Sequence, residues 1–236
     1  KIGTIVDRDL LQNESEFHSL FGENLSEPLK SQLNREIGIG VWKSLDLEAK
    51  IDNPDVVAII DTSYDTIQLE VKSLFIEGNY NKYDRTVPQT RWPCKSCKGY
   101  GCKKCNNTGQ LYPDSVQSLI AKPFAKETSC SEDLFHGMGR EDIDAAMLGS
   151  GRPFVLELRM PRKREIDLVQ MAKEINEENE DRVGVSNLKF VDRKRVAELK
   201  NTVCDKTYRV DVSIRDRISI ESLKKASQRL TGTVIE

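Results

Sequence analysis

The chain has 236 residues, 38% hydrophobic and 31% charged, with 36 Lys and Arg against 38 Asp and Glu for a net charge of −2. That is apolar material for one large domain or two modest ones, and it excludes wholesale disorder. No apolar run approaches the roughly 20 residues of a bilayer span, and the first nine residues lack the apolar stretch of a secretion signal, so a cytoplasmic protein without a membrane partner is expected.

The near balance of charge weighs mildly against a nucleic-acid binder. Basic residues nevertheless gather at 95–104, 159–164, 193–195 and 224–229, and a patchwise basic surface suffices to hold phosphates.

In chain order, Leu29, Leu33, Ile37, Val41 and Leu45 recur every four residues behind Ser26 and Pro28. This predicts a helix with Ser26 as its cap, weakened by Gly38 and Gly40. Residues 56–61 and 66–76 are rich in β-branched side chains and are separated by Thr62-Ser63-Tyr64-Asp65, a hairpin signal. The polar, aromatic stretch 79–93 reads as an ordered connector. Its Tyr80, Tyr83 and Trp92 either pack a junction or, with the interleaved Lys and Arg, stack on and neutralise RNA.

A short helix is expected over 115–122, capped by Asp114 and stopped by Pro123. Then follow a strand at 154–160, an amphipathic helix at 165–179, a strand at 183–191 and a helix at 193–200. Last come a strictly alternating strand at 206–214 and a helix at 219–230 with Ser219 as cap. The alternation of elements predicts an α+β fold with a mixed sheet.

Cys94, Cys97, Cys102 and Cys105 form C-x2-C-x4-C-x2-C. Each C-x2-C pair lets two thiolates reach one tetrahedral ion at about 2.3 Å, and Gly99 and Gly101 permit the reversal between pairs. Lysines at 95, 98, 103 and 104 offset the charge of a tetrathiolate. Structural Zn2+ is the favoured occupant, since four cysteine ligands leave no open position. An iron–sulfur cluster, a redox dithiol, or a metal shared with cysteines outside the chain are the alternatives. Cys130 and Cys204 stand apart and receive no role.

Gly139-Arg140-Glu141-Asp142-Ile143-Asp144 packs charges behind glycine and runs on to Leu148-Gly149-Ser150-Gly151-Arg152-Pro153-Phe154. Read alone, it is a solvated turn or a catalytic carboxylate beside an arginine.

The wording resembles the signature G-R-E-D-I/V-D-x-R-x-L-G-x-G-R-P-F of the archaeal and eukaryotic tRNA pseudouridine synthases that act on uridines 54 and 55 of the TΨC arm and carry an N-terminal THUMP-containing region. The chain departs from it at Ala146, where the family usually has Arg. Ser73–Arg85 resembles a second family stretch, S-L-F-x-x-G-x-Y-N-K-Y-x-R.

The resemblance implies a mixed-sheet pseudouridine synthase catalytic domain at 111–236, preceded by a THUMP-like α/β accessory region with the zinc knuckle at 1–110. It implies tRNA as partner and no cofactor for catalysis. Asp142 becomes the catalytic carboxylate. Arg140 pairs with it, keeps it charged, or fills the place of the flipped base. Tyr208, in the Lys-x-Tyr of 206–208, becomes the aromatic against the flipped uracil, and Asp144 is structural. Family catalytic domains continue past Glu236 with strands that close the cleft, so the chain is expected to be part of a longer polypeptide. A non-catalytic RNA-binding zinc module is the alternative.

Overall fold

The computed structural model describes residues 1–22, 26–45, 50–215 and 217–234. These fall into two compact units, Lys1–Thr202 and Val203–Glu236.

The first unit opens with β1 (Ile2–Ile5), α1 (Arg8–Phe21), α2 (Leu29–Leu45), β2 (Val56–Asp61) and β3 (Thr66–Val71). The sheet order is β1-β2-β3, with β1 parallel to β2 and β3 antiparallel to it. A parallel pair needs a crossover, and the two helices supply it. Neither β1 nor α1 was expected from sequence. α1 starts where the Asp7 carboxylate accepts the Asp9 N–H at 2.9 Å, and stops at Gly22 with φ 95°.

α2 follows most of its four-residue stripe: Leu29, Leu33, Ile37 and Val41 are half-buried, with Asn34 and Gly38 beside them, while Leu45 is exposed, and Thr4 of β1 donates to Asn34 at 2.6 Å. Its cap differs from expectation. The Pro28 carbonyl accepts the first helical N–H, from Gln32, while Ser26 Oγ lies 2.9 Å from His18 Nε2 instead.

The strand expected over 66–76 is two strands. β3 exhausts its partner at Val56↔Val71. After Lys72 and Ser73, β4 (Leu74–Lys82) enters a second sheet. That sheet has the order β5-β6-β4-β7, all antiparallel, with β5 (Glu132–Gly137), β6 (Met147–Arg159) and β7 (Val183–Val191). Residues 79–82, expected in a connector, are therefore the end of an inner strand. The sheet draws chain from both sides of the boundary expected at residue 110.

Alternation along β4 sends Ile76 and Tyr80 to one face and Phe75 and Glu77 to the other. The first face packs with Phe154, Leu156 and Leu158 against α3 (Val116–Thr128) and α4 (Leu168–Glu178), through Ile120, Phe124, Met171 and Ile175. The second carries Phe75 and Val155, packed against Leu199 of α5 (Lys194–Asn201).

Ser115, not Asp114, caps α3, in a reciprocal pair with Ser118. Pro123 lies inside the helix, which runs on to Thr128. The proline gives up one donor, and burial of Phe124 beside it carries the helix through. Asp114 instead accepts from Arg182 at 3.0 Å. α4 begins after Asp167, which accepts from Val169 and Gln170.

The second unit contains α6 (Ile220–Leu230), capped by Ser219. The strand expected over 206–214 is not formed: 203–215 carries neither helix nor ladder, and Tyr208, Val210 and Val212 are exposed. Alternation prepares a strand, but only hydrogen bonding to a neighbouring strand makes one, and this segment has no such neighbour among the described residues.

Candidate active site and metal centre

The Gly139–Asp144 loop links β5 to β6 at the end where β4 finishes, and the side chains of β4 and β6 hold it from beneath. Glu141, its side chain 2% exposed, accepts from the Tyr80 hydroxyl at 2.7 and 2.9 Å and from Gln89 Nε2 at 3.0 Å. Arg152 Nε approaches it at 3.2 Å as an ion pair. That nitrogen is buried and not aligned for a hydrogen bond, whereas Arg152 Nη1 donates to the Met138 carbonyl at 2.8 Å.

Burial, then the negative charge of Glu141, pushes the Tyr80 hydroxyl far above its ordinary pKa. Tyr80 is thus a fixed proton donor to Glu141. It cannot stack on RNA, being fully buried.

Lys82 reaches the loop from one position further along the same face. Its ammonium donates to the carbonyls of Val87 at 3.1 Å, Asp142 at 3.1 Å and Ile143 at 2.7 Å. Burial lowers its pKa, against the opposing pull of Glu141, Asp84 and Asp144. Arg85 donates to the Asp144 carbonyl at 3.2 Å.

Between Tyr80↔Arg152 and Lys82↔Met147 the β4–β6 register slips. The surplus residues 148–151 form a bulge, a device that bends strands beside functional sites. Gly151 at φ 77° is needed there, since a Cβ would stand 2.8 Å from the Tyr80 carbonyl oxygen. Asn81 donates to the Gly149 carbonyl at 3.1 Å and Asn79 to that of Ser150 at 3.1 Å.

Asp142 sits on this anchored loop with its side chain exposed and, among the described residues, no hydrogen bond or ion pair. A turn closes behind it, Ala145 N–H to Asp142 carbonyl at 3.1 Å. Asp142 and Asp144 are therefore not on one face of an extended segment. Arg140 is also exposed and donates to Thr90 Oγ1 at 3.2 Å, so the expected pairing with Asp142 is not formed. Tyr208 belongs to the second unit and is exposed there.

Lys82, Gln89 and Arg152 are residues of the candidate site that sequence reasoning missed, and Tyr80, read there as a junction or RNA-stacking residue, holds the loop instead. Tyr80, Lys82 and Arg152 lay inside the two motifs, but nothing in a motif says which side chains turn inward. A parity count along β4, which puts Tyr80 and Lys82 on the face of Ile76, was the available signal.

The four cysteines of the knuckle come together. Their sulfurs lie within 4.8 Å of one another, with Cys102–Cys105 at 3.7 Å and Cys97–Cys105 at 3.8 Å. Tetrahedral bonds of about 2.3 Å place sulfurs about 3.8 Å apart, so the cluster could hold a metal ion such as zinc. All four candidate ligands lie within twelve residues of this chain.

The N–H groups of Gly101 and Cys102 point at Cys97 and Cys105 sulfurs, each at 3.2 Å. Burial works against the Cys105 thiolate, but N–H donors from Cys102 and Gly109 prevail and lower its pKa to about 6. Gly109 at φ 70° lets the knuckle close, because a Cβ there would fall 2.2 Å from the Gly99 carbonyl oxygen. Cys94 N–H to Gly109 carbonyl and Leu111 N–H to Trp92 carbonyl seal the base. No described helix is long and apolar enough to cross a membrane.

A small α/β sheet with two helices thus precedes a larger antiparallel sheet, its aspartate loop and a four-cysteine knuckle. The archaeal profile described as "Pus10 THUMP domain" matches residues 1–61. The profile described as "Pus10, C-terminal" matches residues 75–236, more than half the chain, so the chain belongs to the Pus10 family.

It is 40% identical over 233 residues to the tRNA pseudouridine synthase Pus10 of Methanothrix thermoacetophila, covering 99% of this chain and 52% of that one. It is 44% identical over 234 residues to the protein of the same description from Methanocaldococcus jannaschii, covering 99% and 50% respectively. The chain therefore spans about half the length of these relatives.

Proposed function

We propose that this chain carries the catalytic aspartate of a tRNA pseudouridine synthase, acting on uridines 54 and 55 of the TΨC arm with Asp142 as the reacting carboxylate. The observation that carries this reading is the contrast at the loop. The Glu141 side chain is buried and engaged, while the carboxylate next to it is exposed, without a partner among the described residues, and held on a backbone gripped by Lys82. An enzyme needs such a preorganised group facing solvent.

In the reaction the Asp142 carboxylate acts at the ribose, as nucleophile or as base, while the N1–C1′ bond of uridine breaks. The base turns over and C5 bonds to C1′. The C5 proton leaves to solvent and N1 gains one, so the product is an isomer and no cofactor is consumed. The target must first leave its stack. Arg140, exposed at the loop, is suited to take the vacated place. For Tyr208 the support is the Lys-x-Tyr spacing alone, which the resemblance assigns to the uracil-facing aromatic. Structural zinc on the four cysteines and an accessory, tRNA-docking role for the small sheet and its two helices, residues 1–71, complete the reading.

A second reading, an RNA-binding metal-clamped module without turnover of its own, is favoured by Ala146, which stands where the family signature has Arg.

Tritium release from tRNA labelled at uridine C5 tests both. The parent should release tritium, and Asp142→Asn should lose activity by a factor on the order of 10³ or more while still binding tRNA. Binding without release by the parent supports the module. Neither binding nor release would sink both.

A further inference from the structure

The knuckle does more in this fold than close on a metal. Between Pro93 and Pro113 the chain has four lysines and no acid, although the whole chain is net negative. A divalent ion on four thiolates leaves a doubly negative centre, so two positive charges remain in excess. Lys95, Lys98, Lys103 and Lys104 are all exposed, and none has an ion-pair partner among the described residues. In their midst Tyr100 is 94% exposed. An aromatic ring this open gains nothing from the core, and here it stands on a loop whose backbone is locked by positive-φ glycines and N–H···S bonds. A rigid platform of this kind pays little ordering entropy when something stacks on it.

Its place is equally informative. Gln89 donates to the Gly139 carbonyl at 3.0 Å, and Thr90 accepts from Arg140 at 3.2 Å. Cys94 follows Thr90 by four residues, which span at most about 14 Å. The base of the knuckle therefore lies within about 14 Å of Thr90, the residue Arg140 of the Asp142 loop contacts.

We propose that the tip of the knuckle is an RNA-docking platform, on which an unpaired base of the bound tRNA stacks against Tyr100 while Lys98, Lys103 and Lys104 neutralise the adjoining phosphates. The platform rests on the tRNA reading given above. Charge of one sign around an exposed ring is the combination that single-stranded nucleic acid recognises, and it is tolerant of base identity. An RNA held here would be fixed on one side of the reacting uridine, so the metal would serve substrate placement without touching the chemistry.

The test is tRNA binding measured from low to moderate salt with the metal-loaded protein. Three variants are compared with the parent: Tyr100→Ala, Tyr100→Phe, and Lys98→Gln with Lys103→Gln and Lys104→Gln. A control replaces Lys122, Lys126 and Lys194 by Gln, all exposed elsewhere on the same unit. Metal content and melting temperature are followed throughout, and each variant is expected to keep both.

Tyr100→Ala should weaken binding about 5- to 150-fold, and Tyr100→Phe should retain it. The triple lysine variant should lower the slope of log K against log salt by about 2 to 3, and the control by less than 1. Parent-like binding by Tyr100→Ala and by the knuckle lysine variant would overturn the platform and leave the enzyme reading intact. An equal loss in the control would also overturn it, since the charge effect would then not be local. Failure of the parent to bind tRNA would overturn both readings.

Discussion

Lys82 and Glu141 show how two opposite charges can be enclosed without forming a direct pair. Each has its own set of neutral or oppositely charged partners: three carbonyls for the ammonium, and a phenol, an amide and a guanidinium for the carboxylate. A buried charge is tolerable only when so satisfied, and removing it strands its partners.

Lys82→Met should therefore cost about 2–4 kcal/mol in urea unfolding, because three inward carbonyls lose their donor. It should also lower single-turnover tritium release far more than tRNA affinity, because the Asp142 backbone is released while the exposed surface is unchanged. Binding and turnover falling together would argue against a positioning role. These residues were visible in the sequence only as members of a motif. Their inward direction depends on the β4 register, which composition does not contain, whereas the four cysteines were legible because their spacing brings four thiols to one point, and Asp142 was singled out only by the resemblance to the family signature.

Elements with a strong period of their own were read well: α2, β2, β7, α5 and α6 lie within a residue or two of expectation. The failures share a cause. The division of 66–76 into β3 and β4, the extension of β6 back to Met147 and the absence of a strand at 206–214 are all decided by which strand lies alongside. Pairing partners are remote in sequence, so a local pattern cannot report them.

The outer face of β4 offers an element-scale prediction. Glu77 accepts from Arg195 at 2.6 and 2.9 Å and pairs with Lys189 at 3.3 Å, tying β4 to α5 and β7. Its hydrogen bonds with Arg195 hold the carboxyl below its ordinary 4.5, against the cost of burial. A carboxylate whose folded pKa is depressed stabilises above its unfolded value, and the contribution disappears as pH falls through the folded value. Glu77→Gln should thus destabilise by about 1–2 kcal/mol at pH 7, Arg195 being partly open to solvent. The difference from the parent should shrink on acidification below pH 4.5. A difference that stays constant from pH 7 to pH 3 would show that packing, not charge, is lost.

At the scale of the whole molecule the family was legible from a dozen residues of one loop, while the architecture was legible only in outline. Residues 1–202 form one compact unit that already contains the aspartate loop and the knuckle. Residues 203–215 are exposed and without hydrogen-bonded regular structure. Limited trypsin digestion should therefore cut first at Lys206, Arg209 or Arg215, leaving a resistant fragment that keeps the four-cysteine cluster intact. Early cleavage within 74–191 would contradict the unit division.

The position of β4 has a consequence for synthesis. It is the earliest strand of its sheet to leave the ribosome, yet it ends up between β6 and β7 and needs both. Its second partner is complete only roughly 110 residues later, which at about 5–20 residues per second is a wait on the order of 5 to 20 s. Until then at least one edge of the strand stays open to the wrong neighbours. The charges that later bind Arg195 and grip the aspartate loop, Glu77 and Lys82, are then its gatekeepers: they keep the nascent segment hydrated and discourage a neighbouring chain from adding to it.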